Sequence, residues 1–553
     1  MLPIERCPVE VFTEIIHYLV HFESPAKRLC LLLVSKAWRD AILNTKSFWS
    51  TIHLRGDNGE KQWLQLSLDK AHGASLHIHI NFDHIPHLDF TTFLHHASNI
   101  QSLTLTYLFR WHLHALNTFL SSDTFPSLKK LSVEGAEDAC WKQVSREAAP
   151  VKRLVLNRTN IPSLETLHLT ELNHLADPSF FEHLRVLSLS RPGMVDSFTD
   201  FMNTLRAMTH LRSLEFGSLH VSPDALSWDH PSPVTLPSLT HFKICDSTPF
   251  ELTTLFSYLF IPRATNVDIH YLASVDAHGR QDVGGHPTRI ADILPSLRGT
   301  NVLPMLSSLT DIALVFQEFR CQIWGSSPGH QHSINVSYEV KTPPETAAAR
   351  VRDFVVRDLA DIVRDCPAVT HIEVSPAFTL TTHQWRTLLG QLPRLKELCF
   401  EGCGPLVPLW TALDPGRRSA ADEDVLCPAL RAVALRDCTP TRSPWEHEAL
   451  RRKGIIVTPP APRIELCVDA LSNMLRARAE RGVSVAKLAY VAAPRMRELE
   501  EFRTVWRGEH TAALAEHVAD VEIKTMYKEI EGDEAEATWR GGYTQRCHRS
   551  TTS

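Results

Sequence analysis

The chain has 553 residues, a formal net charge of -6 and a pI near 6.6, a balance that disfavours nucleic acid as a partner of the molecule as a whole. That length exceeds what one simple core holds, so several domains or a repeat array is expected. No apolar run approaches the roughly twenty residues of a membrane helix, Glu5 and Glu10 stand where a secretory signal would be basic, and 12 cysteines without C-x-x-C pairs read as reduced thiols, so a cytoplasmic or nuclear protein is expected.

The first element is a helix. Pro8 suits its first position, where a missing N–H costs nothing, and Glu10 places a negative charge in the first turn. Val11, Phe12, Ile15, Ile16 and Leu19 recur at three-to-four-residue spacing and form a wide apolar stripe. Ser24-Pro25 repeats the start signal, and the run Leu29 to Val34 that follows has no polar face, so a helix there needs cover on most sides. A unit of about fifty residues is too small to supply that cover alone, which points to a partner or to the following domain.

Cys7-Pro8-Val9-Glu10-Val11-Phe12, then Ile15-Ile16-His17-Tyr18-Leu19, then Val34-Ser35-Lys36-Ala37-Trp38-Arg39 and Phe48-Trp49 occur in the order and spacing of an F-box. The segment 4–54 resembles that family, departing from it at Cys7, where leucine is usual. The resemblance implies docking on a Skp-family adaptor and, through it, on a cullin and a RING protein. The residues it assigns to the adaptor face, or to the support of that face, are Pro8, Val11, Phe12, Ile15, Leu19, Leu33, Val34, Trp38 and Trp49. Trp38 fits the module's own core equally well.

Ile52-His53-Leu54 and Leu76 to Ile80 read as strands. From there a unit L-x-x-L-x-L recurs, as in Leu128-Leu131-Val133, Leu164-Leu167-Leu169, Leu184-Leu187-Leu189, Leu211-Leu214-Phe216, Leu395-Leu398-Phe400 and Leu430-Val433-Leu435. That is the leucine-rich-repeat signature. Each unit is expected to give one short strand on a concave face and a returning helix or loop on the convex side. The expected fold class is α/β: an N-terminal three-helix F-box followed by an irregular leucine-rich-repeat solenoid over 55–495. Val151 and Leu164 are too close for two full repeats. The stretches 277–300, 322–345, 411–426 and 440–463 read as exposed insertions, Thr346 to Arg364 and Leu466 to Arg481 as amphipathic helices, and 496–553 as a helical or disordered tail.

Catalytic patterns are weak. Gly325-Ser326-Ser327-Pro328-Gly329 matches G-x-S-x-G, but proline follows the serine, and a nucleophile elbow uses that residue's N–H. The 30 histidines include no H-E-x-x-H, and no Walker-type or dinucleotide-binding glycine pattern occurs. The chain is therefore read as non-enzymatic, with no cofactor and no metal. What remains is binding. Concave strand positions alternating with the buried leucines would meet a target protein: Lys130, Ser132, Glu134, Thr166, His168, His241, Lys243, His371, Glu373, Glu397, Glu401 and Arg436. An F-box ahead of such an array resembles the substrate receptors of SCF-type ubiquitin ligases. A repeat scaffold with a degenerate F-box is the second reading, and a serine hydrolase at Ser327 the third.

Overall fold

A computed structural model describes residues 30–55, 60–83, 89–136, 153–171, 173–176, 178–190, 198–217, 232–247, 249–273, 303–316, 320–340, 359–375, 380–401, 406–417, 425–436, 464–492 and 514–525, with Val11, Glu14, Ile15, Ile85 and Val356. The chain is mixed α/β and divides into two compact units, Met1–Leu309 with Gln322–Phe354 and Thr310–Cys321 with Val355–Ser553.

In the first unit the chain runs through β1 (Thr51–Leu54), β2 (Leu76–Asn81), β3 (Ile100–Leu108), β4 (Lys130–Gly135), β5 (Arg153–Leu156), β6 (Thr166–Thr170), β7 (Asn173–Ala176), β8 (Val186–Ser190) and β9 (Ser213–Gly217). It continues through β10 (Val234–Thr235), β11 (His241–Ser247), β12 (Leu259–Phe260) and β13 (Asn266–Ala273). It then contributes β14 (Asp311–Phe316) to the second unit, passes along β15 (Arg320–Ser326) and returns with β16 (Ser333–Val340). The parallel ladder of the first unit is β1-β2-β3-β4-β6-β8-β9-β11-β13-β16.

Register explains the repeat. Ile52, Ile78, Leu103, Leu131, Leu167, Leu187, Leu214, Phe242, Val267 and Ile334 are ladder partners. The residues two further on, from Leu54 and Ile80 to Ile269 and Val336, form a second row, and none of either row is more than 3% exposed. Strand side chains alternate in direction, so both rows point into one apolar layer. In four repeats the leucine three residues before the first row is fixed by a tight turn: Leu128, Leu184, Leu211 and Leu239 donate their N–H to the carbonyls of Phe125, Phe181, Met208 and Leu236. Full burial of each such side chain contributes about 1.5–3 kcal/mol.

The close pair of motifs resolves simply. β6, from Leu164-Leu167-Leu169, belongs to the main ladder, whereas β5, from Val151-Leu154-Leu156, leaves it and pairs with β7. β10 and β12 form another small pair.

In the second unit β14 pairs with β17 (His371–Ser375), followed in parallel by β18 (Glu397–Glu401), β19 (Ala432–Arg436), β20 (Lys487–Ala492) and β21 (Asp520–Thr525). Helix Thr382–Leu389 begins with a capping box: Gln384 N–H donates to Thr381 Oγ1, and Thr381 N–H donates to Gln384 Oε1. The expected helix ending at Arg364 is present in its described part, with Leu359, Ile362 and Val363 buried. Helix Ile464–Glu480 likewise matches expectation.

Four expectations are corrected. The stretch 322–345 is not an exposed insertion: it carries most of β15 and all of β16, and Ile334, Val336 and Ser337 are buried. Within 411–426, the end of helix Val407–Leu413 buries Ala412 and Leu413, and Asp414 after it is buried as well. The tail contains β21, in register with β20. The first segment does not end as a separate domain at Leu54, because β1 is a strand of the main ladder and Phe48 and Trp49 pack on Trp63 of the next helix, Glu60–Ala71. The insertions at 277–300 and 440–463 lie outside the described residues.

Candidate interaction surface

The N-terminal motif folds around its own polar letters. Ser35 caps helix Lys36–Asn44, its Oγ accepting the Trp38 N–H at 3.2 Å. Among its described residues the leucine run is helical at Cys30 and Leu31. Leu33 N–H then bonds Cys30 C=O and Val34 N–H bonds Leu31 C=O, tightening 32–34 into a turn. That turn points Leu33 and Val34 outward: they are 80% and 56% exposed.

Val11 and Ile15 are 48% and 37% exposed. Water-exposed aliphatic side chains grouped in one short segment are unusual in a folded chain. Trp38 is half-buried. Trp49 is fully buried, its Nε1 donating to Ile42 C=O at 2.9 Å, so it supports the segment from within and does not face a partner. Pro8, Phe12 and Leu19 lie outside the described residues.

The second surface is the face of each ladder opposite the buried rows. In the first unit Lys130 is the register partner of Thr166, and Ser132 of His168; Glu134 stands opposite Thr170. His241 and Lys243 lie on β11. Lys243 Nζ is 2.6 Å from Glu215 Oε1, and Ser188 Oγ donates to Glu215 Oε2 at 3.2 Å. Burial, helped by the Lys130 cation, holds the His168 imidazole below its ordinary range. The hydrogen bond to Glu215 raises Lys243.

Asp268 and Asn335 extend this surface on β13 and β16. Asn335 Nδ2 donates to Asp268 Oδ1 at 2.7 Å, and Gln322 Nε2 donates to Asn335 Oδ1 at 3.1 Å. Burial pushes the Asp268 carboxyl up, against the opposing pull of Lys243 and of the Asn335 bond. Glu215, Asp268 and Asn335 are absent from the sequence-predicted set. Glu215 was within reach, since it alternates with Leu214 and Phe216. In the second unit His371 Nδ1 and Glu397 Oε2 are 3.2 Å apart, Glu373 is the partner of Cys399, and Glu401 of Arg436.

No protein-family model matches the chain, and no curated sequence matches it. Function therefore rests on these surfaces.

The G-x-S-x-G serine has a structural bond. Ser327 is buried, its Oγ accepts the His332 N–H at 2.8 Å, and its N–H donates to His332 C=O, closing the turn between β15 and β16. The His332 ring lies 3.2 Å from Ser308 Oγ. Among the described residues no group of three or more His, Cys, Asp or Glu is arranged to hold a metal ion, and no helix is long and apolar enough to cross a membrane.

Proposed function

We propose that this chain is the substrate-recognition subunit of an SCF-type ubiquitin ligase, its N-terminal segment docking on a Skp-family adaptor and its strand faces binding a target protein. The observation that carries the reading is the exposed aliphatic group Val11, Ile15, Leu33 and Val34, inside the motif that resembles an F-box. Burying such side chains against a partner gains about 25 cal/mol per Å² of apolar area. The remaining chain supports the reading in a second way. Its tight turn, short strand and parallel ladder, recurring with L-x-x-L-x-L, are what stacked leucine-rich repeats would produce. Such a receptor needs no catalytic group; it raises the concentration of target beside the ligase machinery. The reading places the protein in the cytosol or nucleus.

Co-purification of the full chain with a Skp-family adaptor tests this. The wild type should retain the adaptor and the exposed-site variants Leu33→Asp and Val34→Asp should lose it, with unchanged circular dichroism. A wild type that retains no adaptor leaves the scaffold reading in its place.

A further inference from the structure

The repeat places one residue just ahead of each strand, and the ladder sets these residues side by side. Glu165 N–H bonds Lys129 C=O, Arg185 N–H bonds Glu165 C=O and Arg212 N–H bonds Arg185 C=O, all at 2.8–2.9 Å. Lys129, Glu165, Arg185 and Arg212 thus form a row across the starts of β4, β6, β8 and β9, with about 4.8 Å between neighbouring strands. His183 and His210, each two positions earlier in its repeat, stand beside them. These side chains line a groove of about 460 Å³ whose wall also carries the Ser163 and Ser238 hydroxyls.

The charges in the groove do not cancel. Glu165 answers Arg185, at 3.5 Å. Lys129 and Arg212 have no acidic partner among the described residues. Two cations with no acidic partner among the described residues, a third shared with one carboxylate, and serine side chains on the same wall form a site for a compact oxyanion, beside His210 and a His183 ring whose Nε2 already accepts from Arg158 Nη2 at 2.8 Å. The geometry points to a groove that binds a peptide segment carrying clustered oxyanions, a phosphorylated side chain foremost. A phosphoryl group offers up to two negative charges and three acceptor oxygens to guanidinium, ammonium and hydroxyl donors on adjacent strands. An extended nucleic acid fits less well. Its charges recur along a strand, while the cationic row is short, is interrupted by Glu165, and has no Phe, Tyr or Trp in its lining on which successive bases could stack. This inference does not depend on adaptor docking.

The test uses the full chain and short, degenerate, fluorescein-labelled peptide pools with a central phosphoserine, a central serine, or a central run of Asp and Glu. The phosphoserine pool should be retained over the serine pool. Arg212→Glu should weaken retention at least about tenfold, as expected for loss of a charge-assisted bond, and Arg212→Lys should keep part of it. Lys396→Glu, at the same repeat position in the second unit, should leave retention unchanged. Weaker retention of the Asp/Glu pool assigns the phosphoryl group as the source of the oxyanion, and equal retention assigns carboxylates. Equal retention of phosphoserine and serine pools overturns the proposal. So does an equal effect of Lys396→Glu, or tighter binding of a single-stranded oligonucleotide than of any peptide pool.

Discussion

The two units are built on the same kind of parallel ladder yet present different faces. In the first, the middle row of the face opposite the core reads His53, His79, Thr104, Ser132, His168, Ser188, Glu215, Lys243, Asp268 and Asn335. In the second, the same row reads Ala313, Glu373, Cys399, Ala434, Ala489 and Glu522. The rows facing the core are apolar in both units, because alternate side chains of a ladder strand pack on that core. The opposite face carries no such demand, so its chemistry is free to be polar and cross-bonded in one unit and small in the other. The second unit also buries an arginine completely. Arg478 is fully buried and donates to the Leu426 and Cys427 carbonyls at 2.8 and 2.9 Å, and burial lowers its pKa.

The largest test of this contrast is Arg478→Met. It keeps most of the side-chain volume but strands two buried carbonyls, and should cost about 2–4 kcal/mol, read as lost amide-exchange protection in β18 to β20. Next is Asn335→Ala, which removes the bond to a half-buried carboxylate and should cost about 1–2 kcal/mol in urea unfolding. Lys243→Met breaks a half-exposed ion pair and should cost less than about 1 kcal/mol. Ala434→Ser, on the small-residue row, should change stability by no more than about 0.5 kcal/mol. A larger loss from Ala434→Ser than from Asn335→Ala would show that the faces do not differ in the way described.

The smallest effect is one of pH. The folded state protonates His168 less readily than the unfolded chain, because burial and Lys130 oppose the charge. Stability from this group is therefore full at higher pH and falls as pH drops below about 6.5. His168→Gln should flatten that acid limb. A histidine NMR titration should show His168 taking its proton below the ordinary range, and Lys130→Met should move it part of the way back.

Much of the ladder is legible in the sequence, since Leu164-Leu167-Leu169 or Leu395-Leu398-Phe400 states both the turn and the strand. β13 escapes because its turn position is Ala264, buried but too small to read as part of a leucine pattern. β16 escapes because a hairpin closed by Ser327 and His332 replaces the usual turn, and Gln331 stands where the leucine would. β21 is spelled by Val518-Val521-Ile523, but it sits among charged residues that read as tail. The face residues follow from alternation alone, whereas the bonds joining Ser188, Glu215 and Lys243, or Asp268 and Asn335, depend on which strands become neighbours. Exposure of Leu33 and Val34 depends on a turn where an apolar run suggests continuous helix.

The central claim, that the N-terminal aliphatic group is a docking face, is tested most directly by calorimetric titration of the purified full chain with a purified Skp-family adaptor. Saturable one-to-one binding, abolished by Val34→Asp and untouched by Lys243→Met, is the predicted result. No binding by the wild type, or equal binding by Val34→Asp, would contradict it.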